Sequence, residues 1–138
     1  MHLDQRLVDA AIELLNARFP EDQDGGAAAM YTREGALLTS IGADSLNAAA
    51  GLCYETGCIC EAQKLAQTVT ASVCVCRPAH TEKILVLTPC GICQERLFWW
   101  GPEVEVAVPD PQDPSRWLAK TLREVQPYYW RNVFHEQR

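Results

Sequence analysis

No stretch of the 138-residue chain approaches the ~20 consecutive apolar residues of a membrane-spanning helix. Residues 1–6 open on a helical pattern without an apolar core and cleavage site, so no secretory leader is expected and the chain reads as cytoplasmic. Clusters of lysine and arginine are missing too. With 12 Lys and Arg against 18 Asp and Glu, the net charge is −6 at pH 7. Binding to a nucleic-acid polymer draws on cationic side chains laid along phosphates, so that partner class is excluded while a small molecule is not. Histidine is scarce: His2, His80 and His135 share no ligand spacing, and no role is assigned to them. Cysteine is what the chain has in excess. An odd count of seven, with no secretory leader, argues against a disulfide framework. Metal ligand, nucleophile and small buried hydrophobe remain.

The apolar spacing predicts one α/β domain over residues 1–138. Leu7, Val8, Ala11, Ile12, Leu14 and Leu15 mark an amphipathic helix over residues 4–19, stopped before Pro20. Residues 27–32 and 36–41 flank Arg33-Glu34-Gly35 and read as a hairpin turning at Gly35. A helix is predicted over 52–67, weakened near Thr56-Gly57, and strands over 69–77 and 84–88. A second helix runs over 90–100, with Pro89 at its entry and Gly101-Pro102 at its end. Residues 103–108 alternate Glu and Val as a strand with one wet face, and 115–125 read as a last amphipathic helix. Tyr128, Tyr129, Trp130 and Phe134 form an aromatic cluster, read as core or interface ahead of a substrate lid.

Two short motifs carry the chemistry: Cys53-Tyr54-Glu55 at one predicted helix start, and Pro89-Cys90-Gly91-Ile92-Cys93 at another. Cys90 and Cys93 are three apart and so share a helix face. A helix N-terminus favours thiolate over thiol, which suits Cys53 and Cys90 as metal ligands. Three soft thiolates suit Zn²⁺, one per chain, and leave a fourth position for water. Glu55 lies within reach of that water without itself binding the metal, and its predicted role is to move protons.

Together the motifs match the zinc-deaminase signature with Cys in place of His in its first half. Over residues 25–108 the chain resembles the small three-cysteine cytidine deaminases: Gly26-Ala27-Ala28-Ala29-Met30, then Arg33-Glu34-Gly35, the Cys-x-Glu motif and Pro-Cys-Gly-x-Cys. The resemblance implies a three-layer α/β/α fold with a five-stranded mixed sheet. It also implies hydrolytic deamination of cytidine or deoxycytidine within pyrimidine salvage. A homotetramer with sites at subunit contacts follows as well, with a C-terminal aromatic, here Phe134, near a neighbouring site. The family places a sugar-binding Asn and Glu before Cys-x-Glu. Here Gly42-Ala43-Asp44 stands there, leaving Asp44 as the candidate substrate ligand, although acids in such loops also cap helices. A base-packing Phe is expected where Asp24 stands. The Arg that offsets thiolate charge is replaced by Gln94, with Arg96 the nearest substitute. These departures concern sugar and base, so N4-modified cytidines and a blasticidin-type antibiotic nucleoside stand as alternative substrates.

A rival of another class is a non-catalytic module around a closed structural zinc site, with Cys58 or Cys60 as fourth ligand. Otherwise Cys58 and Cys60 are small helix-packing residues. Cys74 and Cys76 alternate with Val73 and Val75, point to one face, and read as core.

Overall fold

The computed structural model describes residues 1–134, so His135 lies outside the described residues. Helix α1 (Gln5–Arg18) begins where the Asp4 carboxylate accepts from the Leu7 N–H, satisfying one of the orphan donors of a first turn. Its buried stripe is Leu7, Val8, Ala11 and Leu15. Strands β1 (Gly25–Thr32) and β2 (Leu37–Ser40) form the expected hairpin, with Gly35 at φ 98°. That left-handed conformation costs a glycine nothing.

Helix α2 (Thr56–Lys64) is shorter than the sequence pattern suggests, starting after the Cys-x-Glu motif rather than before it. Strand β3 spans Val69–Arg77 as expected, while β4 (Leu85–Val86) keeps only two residues of its predicted five. Helix α3 (Gly91–Leu97) passes into a 3₁₀ turn over Phe98–Trp100. Strand β5 (Glu105–Asp110) follows.

The predicted helix over 115–125 is corrected. Strand β6 (Asp113–Thr121) pairs antiparallel with β5 from Glu105↔Thr121 to Asp110↔Asp113. Only Leu122–Val125 is helical (α4), closed by a Thr121–Glu124 capping box. The Asp110-Pro111-Gln112-Asp113 stretch is a hairpin turn, and the apolar spacing of Trp117, Leu118 and Leu122 hid it. The sheet therefore has six strands rather than five, in the order β2-β1-β3-β5-β6, with β4 paired to β3. It is mixed: β3 and β5 run parallel, the other pairs antiparallel.

Period-two alternation divides the core between the two faces of this sheet. Ala27, Ala29, Tyr31, Ala71, Val73 and Val75 face α1. Ala28 and Met30 face the other way, onto Cys58, Ile59 and Ala62 of α2, Leu97 and Phe98. The three-layer α/β/α arrangement of the sequence reading is what the chain adopts.

Candidate metal centre and its pocket

The Cys53-Tyr54-Glu55 segment enters α2 as a turn, with the Thr56 N–H donating to the Cys53 carbonyl at 3.1 Å. Ser40, at the end of β2, fixes it. The Ser40 hydroxyl donates to the Tyr54 carbonyl at 2.6 Å and accepts from the Cys58 N–H at 3.0 Å. Gly57 makes this approach possible, since a Cβ there would lie 2.6 Å from Ser40 Cβ. The second motif arrives along β4. Leu87 N–H donates to the Cys74 carbonyl at 2.9 Å, continuing the β3–β4 pairing and carrying residues 88–90 to the site. Cys90 is then the N-cap residue of α3.

These two arrivals bring the sulfurs of Cys53, Cys90 and Cys93 within 4.8 Å of one another. Cys53 Sγ and Cys90 Sγ are 3.6 Å apart. Three tetrahedral zinc positions at ~2.3 Å from sulfur would put neighbouring sulfurs at about 3.8 Å, so the spacing fits that ion. Among the described residues this is the one cluster with metal-ligand geometry, and neither Cys58 nor Cys60 belongs to it. Cys58 Sγ sits 3.1 Å from Ser40 Oγ and is buried, with burial pushing its thiol up to about 12; Cys60 is exposed. The closed four-cysteine alternative therefore does not form.

The charges of the site ask for a cation. Burial raises the Cys53 thiol, and the neighbouring Cys90 adds to the rise. Cys93 is raised by burial and by the negative charge of Glu55 and the other two sulfurs. Against the cost of burial, backbone N–H groups at Cys93 and Ile92 and the Cys53 thiol hold Cys90 below the ordinary value. Crowded thiols resist ionising together, and a bound divalent cation removes that resistance.

Glu55 is only 3% exposed. Burial raises its carboxyl, while its own backbone N–H, the Cys93 and Cys74 thiols and the Arg96 guanidinium act the other way. A carboxyl raised by burial beside a cluster with metal-ligand geometry is suited to accepting and returning a proton. Arg96 Nη1 donates to Thr56 Oγ1 at 2.9 Å, one residue from Glu55. Gln94 is committed elsewhere, to the Pro89 carbonyl at 2.7 Å and the Gln126 amide at 2.6 Å.

Above the cluster lies a pocket of about 390 Å³, lined among others by Asp44, Leu52, Tyr54, Cys74, Leu87 and Thr88. Asp44 is an exposed wall residue, and Asn47 rather than Asp44 caps the short turn that follows. Sequence reasoning missed Tyr54 and Cys74 here. Cys74 does share a face with Cys76, but that face carries the site, and Cys74 reaches Glu55. Pairing gives the signal, because Cys74 stands opposite Ala28, on the side covered by α2 and α3. Phe134 is elsewhere. With Trp99, Trp130 and Arg131 it lines a separate groove of about 720 Å³ beyond α3. Within that aromatic cluster, Tyr129 is buried and stacks on Phe98 at 3.7 Å between centroids, whereas Tyr128 is exposed.

No protein-family model matches the chain, nor does any curated protein. Solved structures do. The chain is 44% identical to the cytidine deaminase from Bacillus anthracis, with a TM-score of 0.89, 96% of this chain covered and 93% of that one. It shares its fold with the cytidine deaminase from Mycobacterium leprae (TM-score 0.68, 21% identity, 89% and 96% covered). The same holds for the cytidine deaminase from Burkholderia pseudomallei (TM-score 0.72, 17% identity, 94% and 100% covered).

Proposed function

The chain belongs to the cytidine deaminase family, zinc-dependent hydrolases of C–N bonds, and on that footing we propose that it deaminates cytidine and deoxycytidine to the uridine products. The observation that carries this reading is the Glu55 carboxyl, buried beside Cys93 at the edge of a three-sulfur cluster. Cys53, Cys90 and Cys93 would hold one zinc ion per chain, which supplies the positive charge that makes water a nucleophile near neutral pH. Glu55 takes a proton from the attacking water at a carboxylate oxygen and passes it to the ring nitrogen. It then carries a second proton to the departing amine. The water oxygen bonds to the carbon bearing the amino group, the C–N bond breaks, and ammonia leaves.

Asp44, on the pocket wall, takes the sugar hydroxyls on this reading. The position of the expected sugar-binding Asn has no space for a side chain: a Cβ on Gly42 would lie 2.5 Å from the Leu52 carbonyl oxygen. One polar contact is thus absent. We infer weaker affinity for plain cytidine than in relatives that keep it, and acceptance of at least one N4-substituted cytidine or unusual sugar.

Phe134, apart from the cysteine pocket, reaches substrate only in a neighbouring subunit of the proposed homotetramer. The groove it lines carries the exposed aromatics Trp99 and Trp130, which suit a subunit contact. Among the described residues no helix is long and apolar enough to cross a membrane. A cytoplasmic place in pyrimidine salvage is part of the same proposal.

The test is ammonia or amine release from cytidine, deoxycytidine, cytosine, blasticidin S and N4-substituted cytidines, with light scattering for the assembly. Turnover of cytidine that Glu55→Gln abolishes supports the proposal. A zinc-loaded protein inert on the whole panel overturns it.

A further inference from the structure

Tyr54 sits between a metal-ligand candidate and the proton-carrying carboxylate, yet it has no part in the chemistry described so far. Its ring lies in a trough made by two glycines. A Cβ on Gly26 would come within 2.2 Å of the ring's far edge, and one on Gly42 within 3.2 Å of its near side. Gly26 belongs to β1 and stands opposite Cys76 of β3, so the ring lies flat on the sheet face that carries the site. The Tyr54 carbonyl is anchored by Ser40 at 2.6 Å, which fixes where the side chain leaves the backbone. The same side chain lines the pocket above the cysteines, beside Asp44 and Cys74. Among the described residues its hydroxyl has no hydrogen-bond partner. An aromatic ring held from beneath by backbone, with its other side on a pocket, is a rigid surface against which a flat ring packs.

We propose that Tyr54, bedded on Gly26 and Gly42, is a specificity-determining residue: its ring is the aromatic floor on which the substrate packs, and it sets how bulky a substrate the pocket accepts. This rests on the deaminase reading of the same site and deepens it. The class of substrate it favours is a planar aminopyrimidine with a compact substituent. Removing the ring lowers affinity for such a molecule and opens the pocket downward onto β1. Little should change in the proton transfers, since the Tyr54 carbonyl, on the peptide bond that leads into Glu55, keeps its Ser40 anchor.

Steady-state kinetics of the zinc-loaded protein test this, using cytidine and a cytidine with a bulky N4 or sugar substituent. Calorimetric binding of cytidine to Glu55→Gln and to Glu55→Gln/Tyr54→Ala gives an affinity without turnover. Tyr54→Ala should raise KM for cytidine about fivefold to tenfold with kcat changed less than about threefold. The bulky substrate should gain at least about tenfold relative to cytidine in kcat/KM. Tyr54→Phe, which keeps the ring, should recover cytidine affinity to within about threefold of the parent. Gly26→Ala presses on the same ring from beneath while Tyr54 itself is kept, and should also raise KM; it answers the question if Tyr54→Ala does not fold. Unchanged KM and unchanged substrate ratio in the folded variants overturn the proposal while leaving the deaminase reading standing. A parent protein that neither binds nor turns over any aminopyrimidine overturns both.

Discussion

Cys53 Sγ lies 3.6 Å from Cys90 Sγ across 37 residues of sequence, the edge length expected of two sulfurs on one tetrahedral ion. Purified protein should therefore carry one zinc per chain, with three sulfur neighbours at ~2.3 Å and one lighter atom. Elemental analysis and X-ray absorption check this. Cys90→Ser should lower zinc content well below one equivalent. A four-sulfur shell would show a structural site instead.

Replacing Glu55 by Gln keeps the volume of a buried side chain and removes its ability to take a proton. Zinc content and melting temperature should stay near those of the parent. The rate should fall by ~10²–10⁴-fold or more, because the proposed mechanism asks one carboxylate for several transfers. Retention of a tenth of the activity would assign the proton transfers to another group.

Ser40 is asked to hold both the Tyr54 carbonyl and the Cys58 N–H. Ser40→Ala leaves both without that partner, at a cost of about 1–3 kcal/mol. Chemical denaturation should show the loss. Activity should fall beyond what the remaining folded fraction explains, since the same bonds orient the turn into Glu55. Loss of stability alone would mean that the turn holds its shape without Ser40.

The Asp4 carboxyl is held below the usual carboxylate range, first by the Tyr31 hydroxyl at 2.8 Å and then by the Leu7 N–H at 3.0 Å. A carboxyl lowered on folding stabilises above its unfolded pKa and loses that contribution as pH falls through the folded value. Asp4→Ala should cost about 1 kcal/mol at neutral pH, as an N-cap does. The stability difference between parent and variant should shrink below about pH 4. A difference that persisted at pH 2 would place the effect in packing rather than in the cap.

The three-cysteine cluster, the carboxylate beside it and most of the elements were legible in the chain because their signals are local. Cys90 and Cys93 share one turn of helix, Glu55 follows Cys53 by two, and α1 runs from its Asp4 cap to the break at Pro20. The strand over Val69–Arg77 announces itself by β-branched residues and period-two burial. What pairing distant segments decides was not legible. Residues 113–121 have apolar spacing compatible with a helix. They become a strand because the Pro111-Gln112 turn folds them back on β5 and its backbone groups take the ladder bonds. Cys74 looks like core until its pairing with Ala28 puts it on the face that α2 and α3 cover. Tyr54 is an anonymous middle letter in Cys-x-Glu. It becomes a pocket wall because Gly26 and Gly42, 28 and 12 residues before it, leave a trough that exists only once β1 lies beneath the turn. Sequence fixes what a segment can be and which groups it carries; tertiary packing decides which groups meet, since a meeting costs chain entropy that only the whole core repays.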